Sequence, residues 1–325
     1  MNSRTRRFLI GSALVMVVGL CTGLVAYYNG GLGRDLPSSE MAYLPADLGV
    51  VGYADVHAVM NSEFRQRLKQ MLPTGEELER LKTEIGVDVE RDIDTVVAGF
   101  SSAGPDHAGA IALLRGRFNE GDIETMATKH GAVAETYRGK RLVLTQGKGE
   151  NGGVAFLEPG LIALGEATTL KKAIDAQATN QGIAQNADLM KRVNEIQIGH
   201  KAWIVGRVDS VPHPEMPAQI RDQVAAVQWF SAGANLNGAL TGTLRAFARD
   251  EAAATNLREM ATGGLAAARL FAGQDPKLLS LANSVQISGM GNSVSVSFSI
   301  SPELLDMLGG MAGTQQQEIR RGIRK

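Results

Sequence analysis

The pattern of apolar and polar positions divides this chain into a membrane-like start and a long body of alternating strand and helix periods. Phe8 to Tyr28 is an apolar run without a single charge, preceded by Arg4, Arg6 and Arg7. As a helix this run is about 30 Å long, the hydrocarbon thickness of a bilayer. Basic residues stay on the cytoplasmic side, so everything after Tyr28 is expected on the other side. Residues 1–28 therefore predict a cytoplasmic basic stub and a transmembrane signal anchor at the inner (cytoplasmic) membrane. Two alternatives remain open. A cleaved signal peptide needs a shorter apolar core and a small-x-small site, whereas Leu24-Val25-Ala26 lacks the first small residue. A lipoprotein needs a small residue before Cys21, where Leu20 stands.

Residues 29–43, NGGLGRDLPSSEMAY, are polar and rich in Gly, Pro and Ser, which predicts a linker. Beyond it the periods change. Leu48 to Val56 reads as a strand. Asn61 or Ser62 caps a helix through Leu72, and Thr74 with Glu77 forms a capping box for a second helix ending at Gly86. Ile93 to Phe100 and Gly109 to Phe118 read as strands, and Glu120 to Lys129 as a helix. Hairpins over Glu135–Thr145 and Val154–Leu164 turn at Arg138-Gly139 and Pro159-Gly160, and a helix follows from Thr168 to Ala176.

The second half of the chain echoes the first. Val51-Gly52 and Asp55 have counterparts in Val205-Gly206 and Asp209. Phe100-Ser101 matches Phe230-Ser231, and Leu114-Arg115 with Glu120 matches Leu244-Arg245 with Asp250, at a constant offset of 130. A Gly291-Asn292 turn leads into a strand Ser293 to Ile300 and a helix Pro302 to Leu308. The pattern predicts an α+β protein: an N-terminal transmembrane helix, then two related units, 44–196 and 197–312, each a mostly antiparallel sheet with helices packed on one face. Residues 313–325, with a QQQ run and a basic end, read as a disordered tail.

Composition narrows the function classes. Cys21 is the only cysteine, so no disulfide can form after the apolar run. The 34 acidic and 33 basic residues nearly cancel, which removes the electrostatic footprint of a nucleic-acid binder. The five histidines show no metal-ligand spacing, and neither a metal nor another cofactor is expected. Asp88, Glu90, Asp92 and Asp94 imitate a calcium loop, but Ile93 stands where the turn needs Gly and Gly99 where a bidentate Glu is needed. The Gly147–Gly153 stretch lacks the Lys-Ser/Thr ending of a phosphate loop, and the common hydrolase motifs do not occur.

Two groups of residues are candidates for chemistry. Asp55 and His57, two apart, share one face at the end of a strand, as a hydrolase acid and base would. Tyr137, Arg138, Lys140 and Arg141 gather an aromatic and three cations at a hairpin tip, suited to an anionic headgroup or polymer.

The segments YLPADLGVVGYADV, TYRGKRLVLTQ and GGVAFLEPGLIALGEATTLKKAID resemble an uncharacterised family of exported bacterial proteins, with a Leu-Pro-Ala-Asp strand opening and a Tyr-x-Gly hairpin. The resemblance implies an exported, duplicated α+β protein and supplies no catalytic residues. The resulting expectation is a membrane-anchored periplasmic protein without enzymatic activity that binds or scaffolds an envelope protein, lipid or glycan. The alternatives are an envelope hydrolase near Asp55/His57 and a periplasmic chaperone or lipid carrier.

Overall fold

The computed structural model describes residues 38–57, 83, 87–102, 108–145, 152–210, 225–236, 239–273 and 276–303. The expected anchor, most of the linker, the helices read after Asn61, the helix read beyond Glu303 and the basic tail lie outside them. Among the described residues no helix is long and apolar enough to cross a membrane.

The protein is α+β, built on one large antiparallel sheet. In chain order the elements are α1 (Ser38–Tyr43), β1 (Val50–Asp55), α2 (Val89–Asp92), β2 (Ile93–Ser102), β3 (Ala108–Gly116), α3 (Glu120–Lys129), β4 (Ala132–Tyr137), β5 (Lys140–Thr145), β6 (Gly152–Glu158), β7 (Leu161–Glu166) and α4 (Ala167–Thr179). There follow α5 (Ala187–Gln197), β8 (Ala202–Arg207), β9 (Val227–Leu236), β10 (Leu240–Ala248), α6 (Glu251–Ala272), α7 (Pro276–Ser284), β11 (Gln286–Ser288) and β12 (Ser293–Ile300).

The twelve strands lie in the order β11-β12-β10-β9-β8-β1-β2-β3-β7-β6-β5-β4. The sheet is therefore continuous across the boundary between residues 196 and 197. Its centre is the antiparallel β1/β8 ladder, in which Val51 faces Val205 and Tyr53 faces Trp203. Outward from this ladder β1-β2-β3 on one side mirrors β8-β9-β10 on the other. The offset of 130 does not survive in the ladders, however. Phe100 pairs with Ala110, which would put Phe230 opposite Leu240, yet Phe230 pairs with Ala246. Backbone pairing follows turn length rather than sequence matching: β9 and β10 join through a tighter connection, Leu236 facing Leu240, than β2 and β3, where Ser102 faces Ala108.

Local chemistry explains most element ends. Asn119, Asn186 and Asp250 cap α3, α5 and α6 by accepting from Asp122 N, Leu189 N and Ala253 N. Arg138 and Gly139 both have positive φ, at 45° and 77°, which is the two-residue turn that suits a twisted hairpin.

Helices cover both faces of the sheet, which corrects the expectation of a single covered face. One face carries Val51, Tyr53, Val97, Ile111, Leu113, Leu142, Leu161 and Trp203 beneath Leu170 and Ile174 of α4 and Leu189, Val193 and Ile196 of α5. The other carries Val96, Ala98, Ala112, Leu114, Val143 and Ile162 beneath Ile123 of α3. Strands of the first half are apolar on both sides, as Leu142 and Val143 show in adjacent positions, so each side requires a cover. The expected linker also ends early: α1 is already folded, with Tyr43 and Glu40 buried.

Candidate interaction surface

Asp55 lies directly across the central β1/β8 ladder from Lys201, its carboxylate 3.3 Å from the Lys201 ammonium, and both side chains are largely buried. An ion pair inside the sheet is the ordinary condition for a carboxylate at such depth. His57, just beyond β1, is exposed. The structure thus gives Asp55 a cation partner within the sheet.

The hairpin-tip residues are divided between the two faces. Tyr137 donates its hydroxyl to Asp175 of α4 at 3.0 Å, and Arg138 pairs with the same carboxylate at 2.5 Å. Arg141 points the other way and pairs with Glu124 of α3, which holds the Glu124 carboxyl below the usual range. Lys140 donates to the Leu157 carbonyl. Each polar group has an internal partner, because β4 and β5 alternate their side chains between sheet faces. The tip therefore fastens α3 and α4 to the sheet.

A third polar cluster escaped the sequence reading. Arg115 on β3 donates through Nε to Glu40 and through Nη2 to Ser39 Oγ at 3.1 Å. Tyr43 donates to Glu158 at 3.2 Å, and burial together with the Glu158 charge pushes its phenol up to about 12. These contacts clamp α1 to β3 and β6.

The second half is built differently. Its cluster beneath α6 consists of Ala248, Ala253, Ala254 and Val294, with Ala226 and Leu257 at the margin. Although α6 runs for 22 residues, Ala253, Ala254 and Ala272 are its only buried side chains. Leu270 is 83% exposed and Phe271 90%, and Met260 on the same helix and Met290 in the β11–β12 turn are also exposed. On the sheet itself Leu244 is 51% exposed, whereas its sequence counterpart Leu114 is 4% exposed. Val133 on β4 and Ile198 after α5 are exposed as well, but α6 carries three such side chains, which makes it a candidate interaction surface.

On the opposite face α5 protects part of the second half. Arg192 lies 5.0 Å from the Trp229 ring and 4.1 Å from the Phe247 ring, and burial pulls its pKa down. Beyond α5 that face ends in a depression of about 260 Å³ with a mixed lining, in which Thr241, Thr243, Gln286, Ser297 and Ser299 stand beside His200 and Phe298. His200 Nδ1 lies 2.8 Å from the Ile196 carbonyl, and a Cβ at Gly233 would strike its ring. Among the described residues no three His, Cys, Asp or Glu side chains group as a metal site.

The surface on α6 was missed because a sequence window shows an apolar helix and not how much of it is covered. The available signal was width: Leu257, Met260, Ala261, Leu265, Leu270 and Phe271 occupy far more of the circumference than one packed stripe requires.

No protein-family model matches the chain, and no curated protein matches it. Among solved structures, that titled "Structure of crystal form III of TP0453" is similar at 10% sequence identity, with a TM-score of 0.45 over 83% of this chain and 97% of that one. A likeness this loose carries no functional argument.

Proposed function

We propose that this chain is a single-pass, membrane-anchored extracytoplasmic protein that acts by binding an envelope partner rather than by catalysis. The observation that carries the reading is α6, whose Leu270 and Phe271 stand almost fully in solvent at the end of a thinly packed helix. Exposing such side chains is unfavourable, at roughly 2 kcal/mol each relative to burial, and a partner removes that cost. The apolar run Phe8–Tyr28 and the basic residues before it support a membrane setting with the body on the extracytoplasmic side. The Asp55–Lys201 pair weighs against the hydrolase alternative, since that contact engages the Asp55 carboxylate within the sheet. We also read the mirrored strand order around β1 and β8 as the trace of two related units.

The test is crosslinking of the full chain in intact cells, followed by affinity purification and mass spectrometry. A reproducible envelope adduct that disappears in Leu270→Glu/Phe271→Glu is the expected result. An adduct indifferent to those changes removes α6 from the reading, and the absence of any adduct removes the reading itself.

A second reading is a glycan, favoured by the hydroxyls of Thr241, Thr243, Ser297 and Ser299 at the depression beside His200. Tritiated or fluorescent glycan fragments binding to the protein but not to Thr243→Val/Ser297→Val would support it.

A further inference from the structure

We infer that the partner of the exposed α6 flank is a second copy of this chain, packed antiparallel along the same helix about a twofold axis. The inference rests on the partner-binding reading and names its occupant.

The helix has two apolar sides. Its inward positions are Ala253, Ala254, Leu257, Ala261, Leu265 and Ala272, all buried or partly buried. With 3.6 residues per turn, Met260, Gly263, Gly264, Ala267, Leu270 and Phe271 fall on an adjoining arc about 120° wide. All six are exposed and none is charged or polar; exposed Asn256 lies on the same arc one turn before Met260. The remaining sector carries Thr255, Glu259, Thr262 and Arg269, as a solvated flank should. A sheet satisfies one apolar side of a helix. The second requires another surface.

The relief of that arc identifies the surface. Its large side chains, Leu270 and Phe271, stand at one end, and its two glycines lie two turns earlier. Glycine is the poorest helix former after proline. Nothing lies within 4 Å of where a Cβ would stand at Gly263 or Gly264, so no contact within the chain explains their smallness. Antiparallel superposition of the arc on itself, with Ala267 on the axis, sets Phe271 over Gly264 and Leu270 over Gly263 of the other copy, twice over. Knobs meet hollows and no charge is buried. Such self-complementarity is the requirement of a twofold interface. A single helix pair covers less than the ~1,600 Å² of a standard stable interface, so the dimer is reversible and concentration-dependent.

The experiment uses the full chain with Cys21→Ser, expressed in membranes as two differently tagged copies and treated with a short bis-maleimide. Ala267→Cys is expected to crosslink the two tags, and Thr262→Cys, on the polar flank, at least tenfold less. Gly264→Leu in the Ala267→Cys background is expected to reduce the crosslink at least fivefold, although it replaces a poor helix former with a good one and its Cβ meets no atom within the chain. Equal crosslinking at 262 and 267, or indifference to Gly264→Leu, overturns the inference. If Ala267→Cys instead forms an adduct of a different mass that Phe271→Glu abolishes, the dimer is wrong and the partner-binding reading stands. If neither adduct forms, both fall.

Discussion

Leu114 and Leu244 occupy matched places in the sequence and opposite environments in the fold. In the first half Leu114 is enclosed with Val96, Ile162 and Ile123, between a two-sided sheet and α3. In the second half Leu244 looks out from the same side of the sheet, because α6 reaches only the end of its strand near Ala248 and Val294. One half is sealed by large side chains from both faces. In the other, Trp203, Val205 and Phe247 are buried on the α5 face, but the face beneath α6 rests on alanines and leaves Leu244, Met260, Leu270 and Phe271 exposed. Similar patterning thus buries Leu114 in one place and leaves Leu244 half exposed in the other. Burial decides which.

The largest effect should come from the clamp that closes the first half. Removing Arg115 as Arg115→Ala strands the buried Glu40 carboxylate, and a loss of about 3–4 kcal/mol is expected in urea unfolding. A change below 1 kcal/mol would mean that the clamp adds nothing. Next is the direct comparison of matched leucines. Leu114→Ala should cost about 3 kcal/mol through the cavity it leaves, and Leu244→Ala under ~0.5 kcal/mol. Similar losses at both positions would dissolve the distinction between the halves.

Tyr43→Phe should cost about 1 kcal/mol at neutral pH through its lost bond to Glu158. It should also change the alkaline limb. The Tyr43 phenol is raised in the folded state, so its contribution is complete below the ordinary tyrosine pKa near 10 and disappears as pH rises through about 12. The difference between wild type and Tyr43→Phe should therefore narrow between pH 10 and 12; a constant difference would exclude the linkage. The smallest effect, and one of opposite sign, is expected at the helix of the second half. Gly263→Ala and Gly264→Ala should each stabilise by about 0.5–1 kcal/mol, since nothing in the chain crowds either position. Destabilisation would show that these glycines are needed within the fold.

Much of the first half was legible from local signals. Gly139 and Gly160 announced their turns, and α3 runs over the predicted Glu120–Lys129 behind the Asn119 cap. Nonlocal features were not legible. The β1/β8 ladder joins strands far apart in the chain, and no window of sequence contains both Asp55 and its Lys201. The cations of the hairpin tip looked available because Asp175 and Glu124 reach them only after α3 and α4 dock. The chain's strand periods were visible, but covering both faces depended on how helices return over the sheet. Helices α5 and α6 were not anticipated: one follows a polar, Asn-rich approach, and the other interrupts its own apolar pattern with Gly263-Gly264.

The most direct measurement is maleimide labelling of Phe271→Cys in the full chain with Cys21→Ser, compared with Thr262→Cys, in native membranes and after purification and dilution. Protection of position 271 but not 262 in membranes, with both fully reactive in the dilute purified protein, is the expected result for a surface covered by a partner. Equal labelling of the two positions in membranes would contradict it, and α6 would then be an apolar helix that nothing covers.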